Sequence, residues 1–196
     1  MIIAAATPKR PSRLRRFTAL AERAAQRERL LDRLRSGSLH AGISVAAAIV
    51  AYLPPSYLNL PEAFWASITA LSVAQSELSA VHSTARDQFI GAAIGGVVGV
   101  IVATLLGHGL LAYAVAVTVA LILAWLTNAA TAARLAGITA TIILLVPHQT
   151  TDTEMFLTRL GEVGWGITAA LVVATPVSYL RRRLEAQKLA EADGNT

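Results

Sequence analysis

The stretch WASITA at residues 65–70 returns in altered form as LAGITA at residues 135–140. Both copies contain an alanine that is followed, after one further residue, by Ile-Thr-Ala, so Thr69 corresponds to Thr139 at an offset of 70 residues. This correspondence indicates that the chain contains two copies of one structural unit.

A second pair of segments repeats in the same order. Arg86 and Gly91 open one long apolar run, and Arg159 and Gly164 open another at an offset of 73 residues. Each copy then holds three apolar segments, and an odd number inserts the second copy upside down relative to the first. Inverted repeats of membrane helices are typical of transport proteins, so the pattern favours solute movement.

The composition indicates a helical membrane protein. The chain is 55% hydrophobic and 15% charged, whereas soluble domains carry about 25% charged residues. Between Leu39 and Leu180, the only basic residues apart from histidine are Arg86, Arg134 and Arg159. Only helices and closed barrels span lipid, and long apolar runs without alternation exclude a barrel.

We therefore predict an all-α integral membrane protein with six transmembrane helices. A span needs roughly 20 apolar residues, and six segments approach that length. They cover residues 39–54, 62–79, 87–106, 110–127, 131–147 and 159–180. The membrane domain then covers residues 39–180, with repeat one at about 39–107 and repeat two at about 109–180, and a basic and polar tail follows at 181–196.

Residues 1–38 form a basic extension. From Ser12 onwards, apolar residues recur at roughly helical spacing between arginines, which predicts an amphipathic helix on the anionic cytoplasmic leaflet. The alternative is a solvated helix that packs on its own protein. Residues 36–38, Ser-Gly-Ser, are expected to break this helix before the first span.

The distribution of charge predicts the orientation. With six spans, every Lys and Arg except Arg159 falls on one side of the membrane. The positive-inside rule then places both termini in the cytoplasm, and we expect a multi-pass protein of the bacterial inner membrane. The net charge of +5 has this topological explanation, so no nucleic-acid partner is predicted.

Nothing in the sequence supports an enzyme. Cysteine is absent, and no zinc-ligand spacing, phosphate-binding glycine loop or nucleophile motif occurs. The histidines His40, His82, His108 and His148 are scattered near the ends of predicted spans, and we interpret them as interfacial residues, with a role as ligands as the alternative. No metal, cofactor or catalytic residue is predicted.

Two arginines are the most specific candidates for functional residues. Arg86 and Arg159 open equivalent apolar helices, where a guanidinium is costly unless it is paired, solvated or snorkelling. Arginine also fits a carboxylate with two parallel hydrogen bonds, so both residues are candidates for attracting anions at opposite mouths. The alternatives are that Arg86 only sets topology and that Arg159 pairs locally with Glu162.

Other polar residues are candidates for lining a path. We assign substrate binding to Trp65, Thr69, Gln75, Asn128 and Thr139, together with the two arginines. The threonine hydroxyls could instead satisfy carbonyls of their own helix.

Three carboxylates are candidates for proton coupling, namely Glu77, Asp87 and Glu162, with solvated or locally paired carboxylates as the alternative. Gly91, Gly95 and Gly99 form a strip on one helix face, which predicts close helix packing rather than a smooth wall of the path.

These motifs resemble those of a known group of proteins. Residues 65–73 with Gln75 resemble the second-span motif of the fusaric acid resistance (FUSC) and aromatic acid exporter superfamily. Residues 85–91, continuing through Gly95 and Gly99, resemble its third-span motif. Arg159, Glu162 and Gly166 resemble the sixth-span counterpart. The resemblance covers about residues 38–183.

The resemblance implies export of organic or aromatic carboxylic acids, and it includes plant malate channels that are anion-conducting homodimers. Many relatives carry a large cytoplasmic domain or two membrane halves, whereas this chain ends about a dozen residues after Arg183. It resembles a short form, and we expect a homodimer. The predicted function is a lipid-embedded transporter of organic, including aromatic, carboxylate anions. The alternative is a non-transporting membrane anchor or modulator of a partner complex.

Overall fold

The computed structural model describes residues 13–58, 60, 62–75, 77–127 and 129–193. It divides the chain into two compact units, Met1–Leu39 and His40–Thr196. Throughout the described residues the regular structure is α-helical, which confirms the predicted all-helical class. The six helices are α1 (Arg13–Tyr57), α2 (Phe64–Val73), α3 (Leu78–Leu106), α4 (Leu110–Leu126), α5 (Ala130–Leu145) and α6 (Asp152–Asp193).

Among the described residues, three helical segments are long and apolar enough to cross a membrane, judged by length and composition. They are Leu30–Tyr57, Leu78–Leu106 and Asp152–Glu191, and the shorter apolar helices are Phe64–Val73, Leu110–Leu126 and Thr131–Leu145. At a rise of 1.5 Å per residue, α2 extends about 15 Å, which is half of a hydrocarbon core of about 30 Å. Non-helical residues must complete any crossing by this segment.

The first helix is longer than the sequence predicts. A break at residues 36–38 and an end at Pro54–Pro55 are expected, whereas α1 runs through both places. One glycine within a helix costs only about 1 kcal/mol, so Gly37 does not stop it. At the other end the prolines still supply carbonyl groups, and the amide of Leu58 donates to the Pro54 carbonyl oxygen at 3.2 Å.

The second and third helices divide their residues differently from the prediction of 62–79 and 87–106. Ala74 adopts an extended backbone with ψ of 119° and ends α2. Glu77 is also extended, and α3 begins immediately after it at Leu78. Helix α3 includes the polar residues that follow Leu78. A boundary placed by hydropathy alone therefore starts α3 too late.

The start of α6 is set by a capping box. The amide of Glu154 donates to the Thr151 hydroxyl oxygen at 3.2 Å, and the amide of Thr151 donates to a Glu154 carboxylate oxygen at 2.9 Å. These two bonds satisfy amides that have no partner within a first helical turn. Consequently α6 begins at Asp152, seven residues before the predicted boundary of 159.

The helices within residues 40–196 form two main core clusters. One joins α1, α2 and α6 with the first turns of α3, through Ala47, Ala70 and Ala170. The other joins α3, α4 and α5, and in α4 it consists of alanines spaced four residues apart. A smaller cluster contains Ile142, Ile143 and Met155, with Trp65 packed against it.

Small residues occupy the interior, and large apolar residues face outwards. Leu105, Leu110 and Leu126 are each at least 75% exposed, whereas Ala112 and Ala116 are at most 1% exposed. Exposed apolar surface on this scale is unfavourable in water, but lipid is as apolar as leucine. The distribution fits a protein whose outer surface contacts lipid.

Glycines allow the backbones of neighbouring helices to approach closely. A Cβ atom added to Gly91 or Gly95 of α3 would collide with α5 backbone at Ala132 or Ala136. A Cβ atom added to Gly166 of α6 would lie 2.5 Å from the Ala66 carbonyl oxygen of α2. Glycine is therefore required sterically at both helix crossings.

Candidate functional site

Arg159 is the most deeply buried charged residue among those described, at 6% exposure. It lies on α6, two turns beyond the capping box. Its NH1 group donates to a carboxylate oxygen of Glu162 at 2.8 Å. The local pairing expected from the spacing of three residues is therefore present, and the pair is almost shielded from solvent.

Trp65 supports the same guanidinium from α2. The guanidinium carbon of Arg159 lies 4.3 Å from the centroid of the Trp65 ring, which is within the range of a cation–π interaction. The indole N–H of Trp65 donates to a carboxylate oxygen of Glu62 at 3.1 Å. Glu62 has a φ of +67°, a conformation that costs a residue other than glycine about 1–3 kcal/mol and clusters at functional sites.

One donor of this guanidinium is unused. The Nε atom of Arg159 is buried and has no hydrogen-bond partner among the described residues. An unsatisfied buried donor is costly, and an acceptor supplied by a ligand would remove that cost. The guanidinium therefore has a donor available for an additional anionic group.

An apolar cavity of about 540 Å³ lies beside this cluster. The end of α1 contributes Pro54, Leu58 lies directly after this helix, and α6 contributes Gly161, Glu162 and Trp165. Among the described lining residues, Glu162 is the only charged one, and the same carboxylate holds Arg159. A pocket of this size, largely apolar with a few polar groups at one side, is typical of small-molecule sites.

Arg86 does not join this cluster. It is exposed on α3, and its neighbour Ala85 belongs to the core cluster that contains Ala169. Arg159 precedes Ala169 by ten residues, which is about 15 Å along a helix. The two arginines therefore occupy different levels of the helix bundle.

The other residues predicted to bind substrate lie apart from the arginine cluster or outside the described residues. Thr69 and Thr139 are buried, at 1% and 4% exposure, within helix contacts, and Thr69 lies against Gly166. Gln75 is half-buried in the extended segment after α2. Asn128 lies outside the described residues.

Of the three predicted carboxylates, only Glu162 contacts the arginine cluster through a described hydrogen bond. Asp87 is half-buried and Glu77 is exposed. The structure thus brings Trp65, Arg159 and Glu162 into one site.

Two groups of residues escaped the sequence analysis. The cavity walls at Pro54 and Trp165 were not identified, although the indole N–H of Trp165 donates to the Ala51 carbonyl oxygen at 3.0 Å and ties α6 to α1. The structure also brings His108 and His148 together with Asp152, although the sequence suggested scattered histidines. No local pattern reveals either arrangement, because their members come from separate connections and helices.

Comparison with known proteins supports one family. The family model described as fusaric acid resistance protein-like matches residues 45–173, which is more than half of the chain. This range includes α2, α3, the arginine cluster and the cavity. No curated protein and no solved structure matches the chain.

Proposed function

This chain belongs to the fusaric acid resistance protein-like family, a family of membrane transport proteins, and on this premise we propose that it moves organic carboxylate anions, including aromatic ones, across a bacterial inner membrane. The single observation that carries the proposal is the buried guanidinium of Arg159, with an unused donor, beside an apolar cavity.

The cluster and the cavity suit the two parts of such a substrate. A carboxylate forms short, charge-assisted hydrogen bonds with a guanidinium, and Arg159 retains an unused Nε donor. An aromatic or other apolar body fits the cavity between Pro54, Leu58 and Trp165. In this arrangement the arginine selects the charge and the cavity selects the apolar body.

Glu162 is the proposed coupling group. Its carboxylate is bound to Arg159 and also lines the cavity, so a substrate carboxylate competes with it for the guanidinium. A displaced carboxylate that remains half-buried and unpaired is costly, and a proton from solution would neutralise it. Substrate binding and proton uptake would then be linked at this side chain. Asp87 and Glu77 remain weaker candidates for this role.

Matching contacts in the two halves support the inverted repeat. Gly95 of α3 approaches the backbone of Ala136 in α5, and Gly166 of α6 approaches the backbone of Ala66 in α2. Ala66 and Ala136 are equivalent in the sequence repeat. The two large core clusters also correspond, because one joins α1, α2 and α6 and the other joins α4, α5 and α3.

The ends of α2 and α5 support the same arrangement. Ala74 and Val146, which end these helices, both adopt extended backbone with ψ near 120°. Interrupted helices in corresponding positions of two halves are typical of transporter binding sites. Gln75 follows one of these ends and is our proposed polar lining there, with Asn128 as a further proposed lining residue.

We further propose six crossings with both termini in the cytoplasm. A hydrogen bond of 2.9 Å between His108 and Asp152 joins the α3–α4 connection to the start of α6, so the α3–α4 and α5–α6 connections lie at one end of the bundle. Trp65, in the first turn of α2, contacts Arg159 of α6 and donates to Glu62 in the α1–α2 connection, so this connection lies towards the same end of α6. This end carries few basic residues and would face outwards, with the basic helix before residue 39 on the cytoplasmic leaflet.

The exposed apolar side chains at the surface support our proposals of a lipid environment and of a second copy of the chain. The large exposed apolar side chains of α4, among them Leu111 and Trp125, would contact lipid or the partner of the proposed homodimer.

Uptake of radiolabelled benzoate into proteoliposomes tests the function. We expect uptake above that of empty liposomes, and at least a tenfold loss in Arg159→Gln, since charge-assisted hydrogen bonds contribute about 1.5–3 kcal/mol. Arg134→Gln is the matched control, because Arg134 is an exposed arginine of α5 outside the cluster, and it should transport benzoate as the wild type does. Equal uptake by wild type and empty liposomes would refute the transport proposal.

A further inference from the structure

Three potential metal ligands converge at the end of the bundle that holds the α3–α4 and α5–α6 connections. Nε2 of His108 lies 2.9 Å from Oδ1 of Asp152, and Nε2 of His148 lies 3.2 Å from the same oxygen. One ligand atom from each residue lies within 4.8 Å of the others. In a tetrahedral zinc site with bonds of about 2.0–2.2 Å, neighbouring ligand atoms are about 3.3 Å apart.

A hydrogen bond of His148 fixes which of its ring nitrogens faces Asp152. Nδ1 of His148 lies 2.8 Å from the carbonyl oxygen of Val146, an atom that only accepts hydrogen bonds. Nδ1 must therefore carry a proton and donate it. In the neutral imidazole, Nε2 then presents a lone pair to the carboxylate oxygen of Asp152.

Two electron-rich atoms face each other at 3.2 Å in this arrangement. Such a contact is repulsive unless a cation lies between the atoms or the ring carries a second proton. A histidine that donates one ring N–H to a backbone carbonyl and offers the other nitrogen to a metal is the usual supporting arrangement in protein metal sites. The Val146 carbonyl thus provides the second-layer contact that a metal-binding histidine needs.

We propose that His108, His148 and Asp152 bind one divalent transition-metal ion of the zinc class. Imidazole ligands suit zinc, copper and nickel, whereas magnesium and calcium prefer oxygen ligands. Two of the three ligands lie in connections between helices. His108 lies in the three-residue link between α3 and α4, and His148 lies between α5 and α6.

The position of the site indicates what the ion would do. Asp152 is the first residue of α6 and precedes Arg159 by seven residues, about 10 Å along the helix. The ion would fasten the start of α6 to the α3–α4 turn. His108 is 48% exposed in its side chain, so an ion can enter from solution.

Isothermal titration of the purified full chain, stripped with a chelator and held in detergent micelles, tests the site. The probes are zinc chloride and, as a control, magnesium chloride. We expect one zinc ion per chain and no binding of magnesium. His108→Ala, His148→Ala and Asp152→Asn should each weaken zinc binding roughly tenfold or more, since even outer contacts of a metal site contribute 10–100-fold.

His82→Ala is the matched control, because His82 is an exposed histidine of α3 outside the cluster, and it should bind zinc as the wild type does. His108→Ala is the most informative variant, since its exposed side chain in a turn is the least able to disturb folding. Zinc should raise the unfolding temperature of wild type but not of His108→Ala. Failure of wild type to bind zinc, or binding of equal strength in His108→Ala, overturns the proposal without affecting the transport proposal.

Discussion

The guanidinium carbon of Arg159 lies 4.3 Å from the centroid of the Trp65 ring, although the two residues come from opposite halves of the sequence repeat. The contact joins α2 to α6 and places the cation over the negative face of the indole. Glu162 holds the guanidinium from α6. The cation is thus fixed by two neighbours, while its Nε atom stays free for a third.

Replacing the indole should weaken substrate binding. Trp65→Leu removes a cation–π contact of about 1–2 kcal/mol and releases the Arg159 guanidinium from its position. The concentration of benzoate that half-saturates transport should rise roughly tenfold. Trp125→Leu is the control, because Trp125 is 66% exposed and should change this value less than about twofold. An equal effect of both substitutions would argue against a specific role for Trp65.

Filling the cavity should block aromatic substrates. Gly161 lines the cavity, and a Cβ atom added there meets nothing within 4 Å. We therefore expect Gly161→Leu to fold while its side chain occupies space proposed for the substrate, and benzoate transport should fall roughly tenfold or more, equivalent to about 1.4 kcal/mol of lost binding. Gly164→Leu is the control, because it adds the same side chain to α6. Gly164 also has open space around it but lies outside the cavity lining, so this variant should transport benzoate as the wild type does. Undiminished transport by Gly161→Leu would place the substrate elsewhere.

The glycine at the α2–α6 crossing should be essential for stability. A methyl group at Gly166 meets the Ala66 carbonyl oxygen at 2.5 Å and the Thr69 Cβ atom at 2.7 Å. Gly166→Ala should lower the free energy of unfolding by about 1–3 kcal/mol. Gly164→Ala, in open space two residues earlier, should leave it unchanged or raise it by about 0.5–1 kcal/mol. Denaturant unfolding in micelles measures both, and equal stability of the two variants would contradict the packing described.

Single cysteines can test the orientation, because the chain has no native cysteine. Gly109→Cys lies in the α3–α4 turn and Ala186→Cys lies in the last part of α6. An impermeant maleimide should label Gly109→Cys in intact spheroplasts, and it should label Ala186→Cys only after permeabilisation. Labelling of Ala186→Cys in intact cells would reverse or remove the proposed topology.

The sequence anticipated features that depend on local patterns. The limits of α4 and α5 lie within two residues of the predicted segments, because turn residues and apolar runs mark them. The spacing of three residues between Arg159 and Glu162 suggested the observed ion pair as one alternative. The start of α6 was predicted seven residues too late, although Thr151 and Glu154 form a capping-box pattern in the sequence.

Features that depend on contacts between distant parts of the chain could not be predicted from the sequence. The cavity joins the end of α1 to Trp165, whose indole bonds to a residue 114 positions earlier. The early end of α2 depends on the extended backbone at Ala74, and no breaker residue occupies that position. The meeting of His108 with Asp152 requires two connections to fold onto the same end of the bundle.

The most direct test of the central claim compares the affinities of the purified protein for benzoate and for its neutral analogue benzamide. If Arg159 recognises the carboxylate, wild type should bind benzoate at least tenfold more tightly, as expected from about 1.5–3 kcal/mol for a charge-assisted hydrogen bond, and Arg159→Gln should lose this preference. Equal affinity of wild type for the two compounds would contradict the account.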